Sequence, residues 1–236
     1  MNITGLQKMT LLDFPGRIAC TVFLQRCNFR CPFCHNSDLL GPSDESAIAV
    51  EELLSFLKKR KGMLDGVCIT GGEPTVQRDL PDLLRDIKAL GYPVKLDTNG
   101  SNPAMLKALV REGLVDYVAM DIKNSREAYA HTAGISGLAM EKIEESMAFL
   151  LEGTVDYEFR TTVVQELHDE KTVRDMAAWV QSLVPGKKAK RFFLQSYVDR
   201  ESVLCPGFHA AVQENMEVFL NLLKPCADFA QIRGRE

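Results

Sequence analysis

The stretch Ile18-Ala-Cys-Thr-Val-Phe-Leu24, followed at once by Cys27-Asn-Phe-Arg-Cys31-Pro-Phe-Cys34, carries the reading of the whole chain. The first part is apolar and partly β-branched, which predicts a strand. That strand runs into three cysteines within eight residues, spaced C-x3-C-x2-C. Thiolates converging from one short loop can hold a metal ion or an iron–sulfur cluster. Three is one short of the four thiolates that ligate a typical cluster fully. An unsaturated metal is a place where a further ligand binds and reacts.

Outward from this loop, apolar runs alternate with amphipathic stretches. Val50, Leu53, Leu54 and Leu57 follow helical spacing towards Gly62. Val67-Cys-Ile-Thr70 is a second strand. Leu80, Leu83, Leu84, Ile87 and Leu90 form a helical stripe closed by Gly91. Val94-Lys-Leu96 is a third strand, and Asn102-Pro103 opens a helix that reaches Val110. Further strands are predicted over 115–120, 157–164 and 191–197. Helices are predicted around Ile143, Met147 and Leu150, around Val173, Met176 and Val180, and over about 209–224. Residues 1–17, with Leu11-Leu-Asp-Phe-Pro-Gly16, read as a turn-rich lead-in, and Arg233-Gly-Arg235 as a short mobile tail.

Six strands alternating with six helices predict an α/β fold, a parallel sheet with helices outside it. One domain is expected over 1–236. A doubly wound sheet and a partial barrel both fit. In either, ligands sit at the C-terminal ends of the strands. Polar residues fall there. The second strand ends in Thr70-Gly-Gly-Glu-Pro74, the third in Asp97-Thr-Asn-Gly100, and the fourth in Asp121-Ile-Lys123. The fifth carries Arg160-Thr-Thr162 and the sixth Gln195-Ser196. Gly71 and Gly72 let backbone approach a ligand closely. Glu73 suits an ammonium group, Lys123 and Arg160 a carboxylate, and Asp97 and Asp121 a cation or hydroxyls. These residue types describe a pocket for a zwitterion beside an unsaturated cluster.

The C-x3-C-x2-C loop after the first strand, with Phe33 before its last cysteine, resembles the signature of radical S-adenosylmethionine enzymes. Gly71-Gly-Glu-Pro74 resembles that superfamily's second motif. Asp97-Thr-Asn-Gly100 and Asp121-Ile-Lys123 are similar to motifs of pyruvate formate-lyase activating enzymes. Leu12-Asp-Phe-Pro-Gly16, Phe23-Leu-Gln25 and Cys34-His-Asn36 look most like the anaerobic ribonucleoside-triphosphate reductase activating proteins. The resemblance spans roughly residues 10–200. It implies a partial (β/α)6 TIM-like barrel over about 18–200, with a 4Fe–4S cluster on Cys27, Cys31 and Cys34. S-adenosylmethionine would bind the unique iron. Its reductive cleavage would give a 5′-deoxyadenosyl radical that takes hydrogen from a glycine of a partner, a glycyl radical enzyme. By the same resemblance Gly71, Gly72 and Glu73 face the methionine amine, and Lys123 and Arg160 its carboxylate. Phe33 lies near adenine. Asp97, Thr98 and Asp121 match a monovalent-cation site. A flavodoxin or ferredoxin is the implied electron donor. Two positions depart from the pattern. Arg26 stands where a glycine usually precedes the first cysteine, and Gln195-Ser-Tyr197 stands where formate-lyase activating enzymes have a histidine.

Composition sets the remaining bounds. The chain has 236 residues, 46% hydrophobic and 25% charged, with net charge −4, which gives no argument for nucleic acid. No apolar run reaches the roughly 18 residues of a membrane span, and the N-terminus lacks a signal peptide's pattern. The cytoplasm is therefore the expected compartment, where cysteines stay reduced. Cys20 and Cys68 read as buried small residues, Cys205 and Cys226 as structural or idle, and His131, His168 and His209 as surface residues. Three alternatives are open: radical chemistry on a small molecule or peptide, a non-catalytic metal-binding module, and a structural zinc site using His35.

Overall fold

The computed structural model describes residues 2–41 and 48–234. They belong to an α/β chain whose strand order repeats the chain order, from β1 to β8. The chain divides into two compact units.

The first unit is Met1–Asn28, Asp38–Thr98 and Ala104–Ala119. It opens on a strand where a turn-rich lead-in was expected. β1 (Ile3–Thr10) runs antiparallel to β2 (Ala19–Leu24), from Ile3 opposite Leu24 to Thr10 opposite Ala19. Only Ile3 and Thr10 of β1 are buried, so the strand shows no clean alternation. β2 pairs in parallel with β3 (Gly66–Gly71), and β3 with β4 (Val94–Thr98). Helices α1 (Val50–Lys59), α2 (Leu80–Ala89) and α3 (Pro103–Arg111) lie where the apolar stripes place them. α2 buries Leu80, Leu83, Leu84 and Ile87, and Gly91 after it has φ +76°, the left-handed stop expected of it. The turn after β1 has a definite use. Phe14 is buried against Tyr117, with ring centroids 6.1 Å apart. A Cβ on Gly66 would come within 2.9 Å of its ring. Asp13 Oδ2 accepts the Thr21 hydroxyl at 2.6 Å. β5 (Tyr117–Asp121) begins in this unit.

The second unit is Phe29–Ser37, Asn99–Pro103 and Met120–Glu236. It holds α4 (Tyr129–Thr132), α5 (Met140–Leu151), β6 (Asp156–Val163), α6 (Glu170–Leu183), β7 (Phe192–Ser196), α7 (Gln213–Leu223) and β8 (Ala230–Arg233). β6, β7 and β8 are parallel. A capping box starts α6: Asp169 Oδ1 accepts the Thr172 amide at 2.7 Å, and Thr172 Oγ1 accepts the Asp169 amide at 3.0 Å.

Several expectations change here. The last helix starts at Gln213 and not near 209, since His209 pairs with Glu166 at 2.6 Å and Ala210 bridges to Val164. His168 is buried and not at the surface. Arg233 belongs to β8 and not to a mobile tail. Its guanidinium makes bonds of 2.8 and 3.0 Å to the fully buried Glu158 and lies over the Phe193 ring. Arg235 lies outside the described residues. The four-residue helix α4 and strands β1 and β8 are additions to the six-strand pattern.

Candidate active site

In the first unit, the chain entering the cysteine loop is clamped against the end of β3. Leu24 O accepts the Gly72 amide and Arg26 O the Glu73 amide, each at 2.8 Å. Such closeness requires glycine. A Cβ at Gly71, whose φ is +130°, would sit 2.1 Å from Leu24 O, and one at Gly72 would sit 2.1 Å from Arg26 O. Both glycines thus hold the approach to Cys27, a use of their small size that the ligand-based reading did not include. Arg26 is the non-glycine residue with positive φ, 72°, among the described residues. A glycine is expected at this position because the backbone there is left-handed.

Glu73 is buried, and its Oε1 accepts from the Thr75 amide at 3.1 Å, the Thr75 hydroxyl at 2.5 Å and the Thr98 hydroxyl at 2.7 Å. Asp97, on β4, is ion-paired with Lys95. Lys95 is 1% exposed, and its Nζ lies 3.8 Å from Cys68 Sγ. Sequence reasoning passed over Lys95. Its signal was parity: in a strand, a lysine two residues before an aspartate shares that residue's face.

In the second unit, Cys31 is buried and Cys34 half-buried, and the Cys34 amide donates to Cys31 O at 3.0 Å. The segment after β7 holds this loop. Cys205 N donates to Pro32 O at 2.8 Å and Leu204 N to Cys34 O at 3.2 Å. Ser202 Oγ donates to His35 O at 2.8 Å, and Phe33 meets Phe208 edge-on, at a centroid distance of 6.4 Å. His35 stacks on Tyr197 at 5.2 Å and bonds Val198 O through Nε2 at 2.5 Å. Its ring is therefore a prop of the loop. Tyr197 supplies the stacking face.

Asp121, Lys123 and Arg160 come together as one network. Lys123 Nζ is 3.0 Å from Asp121 Oδ2, and Arg160 Nε and Nη2 are each 3.0 Å from Oδ1. Backbone fixes the arrangement, since Ile122 N donates to Arg160 O at 2.7 Å. His168 donates from Nε2 to Lys123 O at 2.9 Å, and burial holds its pKa below the usual value. Burial alone would raise the Asp121 pKa, but Lys123 and Arg160 overcome it and hold the carboxyl at about 2. Burial likewise acts to lower Lys123, and Asp121 and Cys31 outweigh it, so the ammonium persists well above its ordinary range. Burial pushes the Cys31 thiol up, with Lys123 the first influence pulling it down. A cation beside this thiol favours the thiolate, the form that ligates metal.

The donor set fits an iron–sulfur cluster: none of the seven cysteines is in a disulfide, and one of the three loop thiols lies in the field of a lysine. Among the described residues no group of three or more His, Cys, Asp or Glu side chains is gathered to hold a metal ion. The cluster assignment therefore rests on cysteine spacing and on family. Also among the described residues, no helix is long and apolar enough to cross a membrane.

Comparison with known proteins places the chain. A protein of Methanocaldococcus jannaschii, named as a candidate glycyl-radical enzyme activating enzyme, is 32% identical over 186 residues, 76% of this chain and 75% of that one. The pyruvate formate-lyase-activating enzyme of Clostridium pasteurianum is 34% identical over 128 residues, 52% of each chain. Among solved structures, Streptococcus suis SuiB bound to S-adenosylmethionine matches with a TM-score of 0.67 at 14% identity, over 91% of this chain and 52% of SuiB. That likeness shows the fold, an α/β partial barrel; the alternation predicted its parallel sheet and the family resemblance its partial-barrel form. The model of the radical SAM superfamily matches residues 21–180, so the chain belongs to the radical SAM superfamily of enzymes, which implies a 4Fe–4S cluster and S-adenosylmethionine as its cofactors.

Proposed function

We infer that this chain is a single-domain activating enzyme that installs a glycyl radical on a partner enzyme, an anaerobic ribonucleoside-triphosphate reductase. The observation that carries the activase reading is the likeness to the M. jannaschii protein over three quarters of both chains. The choice of reductase rests on Leu12-Asp-Phe-Pro-Gly16 and Cys34-His-Asn36. In this reading Cys27, Cys31 and Cys34 hold the cluster, and Gly71, Gly72 and Glu73 the methionine amine. Lys123 and Arg160 hold its carboxylate, and Phe33 adenine. The cofactors, when bound, supply a one-electron cleavage that yields a carbon-centred radical able to take hydrogen from glycine. The chain's own residues prepare the site. Lys123 favours the thiolate of Cys31. Asp121 holds Lys123 and Arg160 side by side, so a carboxylate meets two fixed cations. Glu73 is fixed by two threonines. A flavodoxin or ferredoxin supplies the electron, in the cytoplasm.

The test is made anaerobically, with the reduced, cluster-loaded chain, S-adenosylmethionine and each candidate partner in turn. A glycyl radical doublet in the electron paramagnetic resonance spectrum of the reductase supports the reading. A doublet on a formate-lyase-type enzyme alone reassigns the partner. Cofactor cleavage with no doublet on any partner favours small-molecule or peptide chemistry.

A further inference from the structure

Lys95 and Asp97 stand two residues apart on β4, a spacing that puts both side chains on one face of a strand. The parallel register adds Cys68 of β3 directly opposite Lys95. The three groups meet. Lys95 Nζ bonds Asp97 Oδ1 and lies 3.8 Å from Cys68 Sγ, and that thiol lies 3.8 Å from the same Oδ1. Lys95 is 1% exposed, and the Asp97 side chain 15%. A charge this deep is retained only beside its opposite.

The family resemblance leads to a monovalent cation at Asp97, Thr98 and Asp121, of which the first two belong to this unit. The residues of this unit do not fit one. The carboxylate already carries an ammonium, held in an ion pair with Lys95. A metal ion brought to Asp97 Oδ1 would meet a like charge at contact distance, with little water to screen it. An ammonium carries the charge of a potassium ion, is similar in size and donates three hydrogen bonds.

We propose that Lys95 is a tethered replacement for a monovalent metal ion at Asp97, so that this chain folds and binds S-adenosylmethionine without one. The lysine converts a site that depends on dissolved salt into one whose cation is permanently supplied by the sequence. The affinity part of the test rests on the reading of Asp97 as belonging to the cofactor pocket; the unfolding part does not.

The full chain is compared in potassium chloride and in choline chloride at equal ionic strength. Thermal unfolding is measured first, and then S-adenosylmethionine affinity after cluster reconstitution. The wild type is expected to show the same unfolding midpoint in both salts and affinities within about twofold. Lys95→Met keeps the aliphatic stem and deletes the ammonium that faces Asp97. In choline it is expected to unfold earlier and to bind the cofactor about tenfold more weakly, and potassium restores both saturably. The double variant Lys95→Met, Asp97→Asn has no charge left to balance and is expected to ignore the salt. A wild type whose midpoint or affinity rises saturably with potassium overturns the proposal. So does a folded Lys95→Met variant that is indifferent to potassium. If that variant does not fold, the wild-type comparison decides by itself. A wild type that binds no S-adenosylmethionine in either salt refutes the pocket reading, and the unfolding comparison still decides on Lys95.

Discussion

Replacing Arg26 by glycine and by alanine separates a backbone effect from a side-chain effect beside the first cluster cysteine. Arg26 has φ 72° because its amide donates to Leu39 O at 2.7 Å while its carbonyl accepts from Glu73 N at 2.8 Å. Its side chain is exposed and, among the described residues, has no hydrogen-bond or ion-pair partner. Left-handed backbone costs an L-residue about 1–2 kcal/mol, because Cβ crowds the following carbonyl. Glycine avoids that cost but gives up about 0.5–1 kcal/mol more chain freedom on folding. The difference leaves Arg26→Gly more stable by about 0.5–1 kcal/mol. For a chain of this length that raises the unfolding midpoint by about 1–4 °C. Arg26→Ala retains Cβ and therefore the cost, so its stability stays within about 0.5 kcal/mol of wild type. Circular dichroism melts of the cluster-free, reduced chain give the comparison. Glycine and alanine variants that shift together, or a glycine variant that melts below wild type, would refute the reasoning, because the side chain would then be setting the stability of this turn.

Gly72→Ala places a Cβ 2.1 Å from Arg26 O and 2.4 Å from its carbonyl carbon, backbone atoms that cannot swing aside. A loss of about 3 kcal/mol or more is expected, together with poor iron uptake. Urea unfolding and iron analysis read both, and a stable, iron-replete variant contradicts the clamp. Lys123→Ala removes the cation that favours the Cys31 thiolate, so near neutral pH the thiol of the cluster-free chain is alkylated more slowly; an unchanged rate means Lys123 does not act on it. The same variant is expected to bind S-adenosylmethionine about tenfold more weakly or worse, which titration of the reconstituted chain measures. Asp121 titrates at about 2 in the folded chain, below its unfolded value of about 3.9. Its stabilisation is therefore present above about pH 4 and is lost as pH falls towards 2. Allowing for its partial exposure, Asp121→Asn should flatten the acid limb of the stability profile by about 1–2 kcal/mol; urea midpoints that fall with pH as in wild type argue against the network.

The parts of the fold that could be read early are those whose burial is periodic. α2 and α6 bury unbroken helical stripes, and β2, β3 and β5 are mostly apolar runs. β1 and β8 were hidden because each buries too little to alternate: β8 is marked by Arg233 reaching Glu158, a pairing of distant residues that no local pattern carries. The candidate site was legible as residue types at strand ends. Its internal pairings were not. Asp97 and Asp121 read as open acids, yet Lys95 and Lys123, each two residues away, already hold them. His168 looked like a surface residue because its partner, Lys123 O, is 45 residues distant. Arg26 was an anomaly in sequence, and a single dihedral angle accounts for the glycine expected in its place.

The central claim is that this chain takes hydrogen from a glycine of a protein partner. The direct measurement uses a partner reductase carrying α-deuterated glycine, mixed anaerobically with the reduced, cluster-loaded chain and S-adenosylmethionine, with the released 5′-deoxyadenosine analysed by mass spectrometry. Deuterium in the 5′-deoxyadenosine, appearing together with the glycyl radical, is the predicted result. Cofactor cleaved at the same rate with or without the partner, giving only unlabelled 5′-deoxyadenosine, would contradict it.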